Sequence, residues 1–206
     1  MSYAINARSN QASMELPTLV FVIVMVCWVV FALIFLLRKK PPVAPDKKRD
    51  RGSIPGLLLQ GLSYAIVWTL RRPLFTPFLS TSKSVAITIA ILAIVTAIGS
   101  VSIVMASVKT LGKEWSITAR VVTGHKLATK GPYQVVRHPI YTGMLGMLLA
   151  TGIAVSYWPA LLVATIVFFI GTAIRIRIEE RLLRETFGQE FEAYARSVPA
   201  LVPGLY

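Results

Sequence analysis

The chain has 206 residues, 55% of them hydrophobic and 15% charged, with a mean hydropathy of +0.65. That balance excludes an ordinary soluble domain and points to an integral membrane protein built as a single structural domain. A formal charge of +13 would suit a nucleic-acid binder, but the basic loop 38–51 carries no interleaved aromatics to stack bases, and the lone Cys27 supports neither a disulfide framework nor a zinc set.

Residues 16–37 form an uncharged run of 22, long enough to cross a bilayer core as a helix. The basic residues after it act as a stop, so it reads as a retained span and not as a cleaved leader. A shorter run at 54–70, "IPGLLLQGLSYAIVWTL", contains Gln60 and Ser63, which need partners inside a bundle. A third run covers 84–108. The fourth, 139–174, is 36 residues without a charge, and as one helix it would reach roughly 54 Å, well beyond a single bilayer. "SYWP" at 156–159 supplies the break, because Pro159 disfavours helical geometry in Trp158. The run is therefore expected to be a hairpin of two short helices. The predicted fold is all-α, with about five transmembrane helices, the last two forming the hairpin. A C-terminal amphipathic helix, 189–197, follows a stop at Gly188. Residues 1–110 would hold three transmembrane helices and a basic loop at 38–53. Residues 111–206 would hold a polar loop, the hairpin and the C-terminal helix.

Orientation follows from the basic residues. Seven Lys and Arg lie in 38–51, six in 109–138 and five from Arg175 onward, against four (Arg8, Arg71, Arg72 and Lys83) on the other side. This predicts an outer N-terminus, with both long loops and the C-terminus in the cytoplasm, where the basic loop contacts lipid headgroups. Five of the nine carboxylates fall in 179–192, and both histidines, His125 and His138, lie in the loop before the hairpin. The hairpin returns the chain, so these two polar segments can meet.

The loop and helix start read "GHKLATKGPYQVVRHPIYTG" (124–143). Pro139 suits the first position of a helix, whose unpaired N–H groups would seat an anion. Arg137 and His138 add donors for a carboxylate, and Tyr133 and Tyr141 offer faces to a cation. Gly143 and Gly146 keep the first turns slim enough for a neighbouring helix or a ligand to approach. The same residue types also occur where membrane proteins merely contact lipid phosphates. In "RIRIEERLLRETFGQEFEAYARSVPALVP" (175–203), Arg175–Glu179 and Glu180–Arg184 share helix faces at i, i+4. Arg175 stands where the apolar run ends, a position that marks an ionisable residue as a functional candidate. No GxGxxG or GxxxxGK[ST] loop, HExxH or GxSxG elbow occurs, so a nucleotide-like ligand would be held without a Rossmann turn and no metal is expected.

These two stretches resemble the isoprenylcysteine carboxyl methyltransferases and their bacterial relatives. The pattern is H-x-L, then G-x-Y, then RHPxYxG, then a Glu-Glu pair ahead of "FG" and "VP", and it covers residues 125–203. The resemblance implies an S-adenosylmethionine-dependent integral membrane enzyme acting on a lipophilic acceptor, first of all by carboxyl O-methylation of an isoprenylcysteine-like compound. Phospholipid N-methylation and thiol S-methylation are the alternatives. It further implies that His125, Leu127, Tyr133, Arg137, His138, Pro139 and Glu179 line the cofactor pocket, with Tyr141 near the sulfonium. Arg175 would face the acceptor, beside Glu179, in the catalytic centre. One departure is Thr118, where the eukaryotic enzymes often carry a Gln that contacts the cofactor. Two other classes compete: a membrane reductase using NADPH, since sterol reductases carry a similar Arg-His element, and a non-enzymatic scaffold. Against the reductase, Met144 follows Gly143 where those enzymes usually place an acidic residue.

Overall fold

The computed structural model describes residues 2–37, 46–79, 82–112, 120–122 and 126–204. Six helices occur among them, in the order α1 (Ser2–Leu36), α2 (Ile54–Thr69), α3 (Lys83–Leu111), α4 (Pro139–Val155), α5 (Trp158–Phe187) and α6 (Gln189–Ser197). The apolar parts of α1 (Leu16–Leu36), α3 and α5 are long enough to cross a membrane, and α4 is a shorter apolar helix.

Compared with the five expected spans, all five apolar helices form, but two are short. The 16 residues of α2 and 17 of α4 rise only about 24–26 Å, less than the ~30 Å of a hydrocarbon core. The chain breaks at Ser156 and Tyr157, where "SYWP" predicts it, because Tyr157 is extended ahead of the Trp158–Pro159 start of α5. The second hairpin arm, however, is not short. α5 runs for 30 residues to Phe187, and its charged last third continues as helix because nothing interrupts it before Gly188. That glycine sits at φ 51°, a left-handed conformation that ends α5 and starts α6. A small departure from the all-helical reading is an antiparallel ladder of β1 (Asp46–Arg49) and β2 (Arg120–Val122), with Arg49 opposite Arg120. It ties the two long loops together, and no alternating apolar pattern announces it.

The core runs along the inner faces of α1, α3, α4 and α5, through Val24, Cys27, Ala93, Ala97, Met147, Leu148 and Phe168. Two seams are closed by glycine. A Cβ on Gly143 would strike Ile103, Val104 and the Ser100 carbonyl of α3, so α3 and α4 pack backbone to backbone. A Cβ on Gly56 would lie 2.5 Å from the Gly171 carbonyl oxygen, and one on Gly171 would lie 2.7 Å from that of Gly56, so α2 and α5 do the same. Three polar side chains inside the bundle are paired across helices, while Gln60 Oε1 stays buried without a partner among the described residues. Gln60 Nε2 donates to Thr172 Oγ1 at 2.9 Å, Tyr64 to the Met144 carbonyl at 2.6 Å and Trp28 to Thr151 at 3.0 Å.

At the hairpin turn the carbonyls ending α4 lack helical partners. Buried Arg72 supplies them: its guanidinium donates to the Ser156 carbonyl, to Ile153 at 2.7 Å and to Ala154 at 3.2 Å, while its backbone N–H reaches Val155 at 3.0 Å. Ser156 Oγ donates back to the Leu70 carbonyl at 3.0 Å. Replacing Arg72 by Ala should therefore cost about 2–4 kcal/mol, since it strands several buried carbonyls. Thermal unfolding in detergent would show a lowered midpoint for Arg72→Ala and little change for exposed Arg71→Ala.

Candidate functional site

Because α4 and α5 are joined by a tight turn, the start of α4 lies beside the charged last third of α5. The adjacent carboxylates Glu179 and Glu180 project about 100° apart around α5, and His138, at the N-cap of α4, sits between them. Its Nε2 is 3.2 Å from Glu180 Oε1 and its Nδ1 is 3.7 Å from Glu179 Oε2. An ionised carboxylate only accepts, so Nε2 carries the proton in the closer contact.

Glu180 is 6% exposed and forms the hub of one half of the site. It accepts from Arg137 Nε at 2.9 Å and from Arg184 Nη2 at 3.0 Å, in addition to His138. From the sequence it pairs with Arg184 alone, as part of a surface helix. The adjacency of "EE" on α5 and "RH" before α4 is the signal that could have revealed the larger network. Arg137 does more than meet Glu180. Its Nη1 donates to the carbonyls of Ala195, at 2.8 Å, and Val198. Its backbone N–H donates to Pro199 at 2.8 Å, and that of His138 to Ala200 at 2.9 Å. Thr142 Oγ1 adds a bond to the Leu201 carbonyl at 2.6 Å.

Most of the expected anion seat is thus taken up by the chain itself. Pro139 has no N–H, the two preceding N–H groups hold the segment 199–200, and the Tyr141 and Thr142 N–H groups return to the His138 carbonyl. Arg137 fastens the C-terminal segment against the helix start through its Nη1, while its Nε holds Glu180.

Glu179 anchors the other half. Tyr141 donates its hydroxyl hydrogen to Glu179 Oε1 and accepts from Arg175 Nε at 2.7 Å, while Arg175 Nη2 reaches Glu179 Oε1 at 3.3 Å. The Arg175 guanidinium lies 5.2 Å from the centroid of the Tyr141 ring, and His138 stacks on that ring at 5.7 Å and 15°. Arg175 and Tyr141 are buried, whereas the Glu179 side chain keeps 24% of its exposure.

Tyr133 is buried in a single 3-10 turn, Gly131–Gln134, and its carbonyl accepts from the Tyr194 hydroxyl at 2.6 Å. Burial, together with the fields of Tyr194 and Glu179, raises the Tyr133 phenol above its usual range, and burial pushes Tyr194 up to about 12. Both therefore stay neutral at physiological pH. Leu127 is half-buried on the approach to this turn. His125 and Thr118 lie outside the described residues. Of the other predicted site residues, Tyr133, Arg137, His138, Pro139, Tyr141, Arg175 and Glu179 all fall where α4 starts and α5 becomes charged.

Asp50 is a contact that sequence reasoning missed. It accepts from Arg181 and from the Gly52 N–H at 2.7 Å, and those two donors hold its carboxyl below the usual range. The loop before α2 is thereby drawn onto α5. Asp50 sits in a run dense with charge, where nothing distinguishes it.

The phospholipid methyltransferase family model matches residues 87–190, half of the chain and both arms of this site. The chain belongs to that family. Among similar proteins is protein-S-isoprenylcysteine O-methyltransferase B of Arabidopsis thaliana, 37% identical over 79 residues, which are 38% of this chain and 40% of that protein. Another is the cobalt-zinc-cadmium resistance protein CzcN of Cupriavidus metallidurans, 35% identical over 102 residues, or 48% of this chain and 46% of that protein. A third is methanethiol S-methyltransferase 2 of Bradyrhizobium diazoefficiens, 34% identical over 91 residues, or 41% of this chain and 32% of that protein. The matched stretch spans about half, or less, of each relative's own length. The family is thus one of membrane methyltransferases whose named members differ in acceptor.

The two carboxylates should separate by experiment. Glu180→Ala leaves Arg137, whose side chain is only 13% exposed, and buried His138 without their carboxylate partner, which should cost about 3 kcal/mol. Glu179→Ala, at a partly open position, should lower the unfolding midpoint much less. Thermal unfolding of the two variants side by side checks this ordering.

Proposed function

We propose that the protein is an integral membrane, S-adenosylmethionine-dependent methyltransferase acting on an anionic group of a lipophilic acceptor. Carboxyl O-methylation of an isoprenylcysteine-like compound is the first reading of that acceptor. The observation that carries the proposal is the convergence of His138, Tyr141 and Arg175 on Glu179, a carboxylate that is still partly open.

The residues fit the cationic parts of such a cofactor. Glu179 can take its ammonium, and the rings of Tyr133 and Tyr141 suit a sulfonium. Its carboxylate falls to Arg137, whose Nε and Nη1 are held by Glu180 and the C-terminal segment and whose Nη2 can still donate. When bound, S-adenosylmethionine supplies a methyl carbon already activated by sulfonium. The work left to the protein is alignment and exclusion of water. Arg175 is the residue to orient an anionic acceptor, and its plane is fixed by Tyr141 and Glu179. A carboxylate or thiolate arrives without a proton to lose, so no strong general base is required.

In this reading residues 111–206 carry the chemistry, and 1–110, with the basic loop 38–53, form the membrane scaffold of the same structural domain. The charged end faces the cytoplasm and the N-terminus lies outside. Thiol S-methylation is a second reading, favoured by the burial of Arg175 and Tyr141, which suits a small acceptor.

Calorimetric titration of the purified protein with S-adenosylhomocysteine should give binding, and titration with NADPH none. Glu179→Gln and His138→Ala should each weaken the former about tenfold or more, the scale of one charged contact. Unchanged affinity in both variants would refute the pocket. For orientation, Arg51→Cys and Tyr157→Cys should react with an impermeant thiol reagent from opposite sides of sealed vesicles. Labelling from the same side would overturn the topology.

A further inference from the structure

Three parts of the chain are joined in a ring at the charged end of α5. Asp50 accepts from Arg181 of α5, two residues past Glu179, and from the Gly52 N–H at 2.7 Å. A Cβ on Gly52 would lie 2.9 Å from Asp50 Oδ1 and 3.2 Å from Ile178 Cδ1, so the 3-10 turn Arg51–Ser53 sits close on α5. Buried Ser53 donates its hydroxyl to the Asp50 carbonyl at 3.3 Å. Directly before Asp50, β1 pairs with β2, and β2 also lies against α5. From β2 the chain passes through residues 123–130 to the turn that buries Tyr133, and then to Arg137 and His138.

The ladder cannot hold this arrangement by itself. It joins four residues to three, sets Arg49 opposite Arg120 and carries an irregularity between Asp46 and Lys48. A two-stranded pair so short is marginal in water, and like charges placed opposite each other weaken it further. What fixes β1 is its attachment to α5, made by Asp50 and the turn that follows it. The polar loop is thus fastened at both ends, by Arg137 to Glu180 and by β2, through β1 and Asp50, to Arg181. Both fastenings fall within two residues of Glu179.

Resting on the methyltransferase reading above, we propose that Asp50 is a positioning residue for the cofactor pocket. By holding β1, and through it β2, against α5, it keeps the loop that leads to Tyr133 in place before the cofactor arrives. Asp50 itself touches neither cofactor nor acceptor. An ion pair whose arginine side chain is 58% exposed adds little to global stability, so losing it leaves the bundle folded. It lowers the fraction of molecules in which the pocket is formed, and apparent affinity falls by that fraction. Asp50 lies outside the family match at 87–190, so the N-terminal half supplies this support.

The test uses the full-length protein in detergent, titrated calorimetrically with S-adenosylhomocysteine and followed by thermal unfolding and amide hydrogen exchange. Asp50→Ala and Arg181→Ala should each weaken binding about fivefold, the upper scale of one surface ion pair, with unfolding midpoints near that of the unmodified protein. The double variant should lose no more than either single one, because both remove the same contact. Exchange of residues 120–128 should quicken in each variant while that of α4 stays unchanged. Full affinity in both single variants would overturn the inference. So would additive losses in the double variant, or exchange in 120–128 that neither substitution alters. Midpoints that fall in step with affinity would show a structural role only, and overturn it too. Each of those results comes from protein that binds S-adenosylhomocysteine; absence of binding by the unmodified protein would instead remove the methyltransferase reading itself.

Discussion

The buried carboxylate of Glu180 is what the rest of the arrangement depends on. A charge taken out of water is tolerated only where partners replace the lost hydration, and here three basic side chains from three places in the chain do so. Arg137 comes from the loop before α4, His138 from the α4 cap and Arg184 from the next turn of α5. Because Arg137 also grips the carbonyls of Ala195 and Val198, one ionised group links the hairpin, the polar loop and the C-terminal segment. The open half of the site, around Glu179, is built on this closed half. The two neighbours in sequence divide the labour, with Glu180 holding the frame and Glu179 facing outward.

Much of this was legible in the residues. Pro159 and the length of the 139–174 run predicted the hairpin break, and Gly188 predicted the end of α5 and the start of α6. The i, i+4 spacing of Arg175 with Glu179 put both on one face, and the return of the chain brought them to His138. The burial of Glu180 was not legible, because its pairing with Arg184 is complete within one helix and gives no reason to look further. The attachment of residues 198–201 was hidden for a different cause. It is made by backbone carbonyls, which every residue has. The grip of Arg72 on the hairpin turn was likewise invisible, because a basic residue between two spans reads equally well as a topological signal.

Family membership and local geometry constrain different things. The match over 87–190 concerns the helices that carry the candidate site, whereas α1 and α2 lie outside it. In a family whose members are named for different acceptors, helices outside the matched region are a natural place for acceptor choice to change while the donor side is kept. Gly56 and Gln60 of α2 pack against α5 next to Arg175, and Tyr64 ties α2 to α4.

The shortness of α2 has a mechanical consequence. Its outer face is apolar, with Leu58 and Leu62 largely exposed, yet the helix is several ångströms too short for an average hydrocarbon core. Lipids along that flank must compress, or their headgroups must sink, to avoid wetting its ends. A bilayer around the helices would therefore be thinned along the α2 flank.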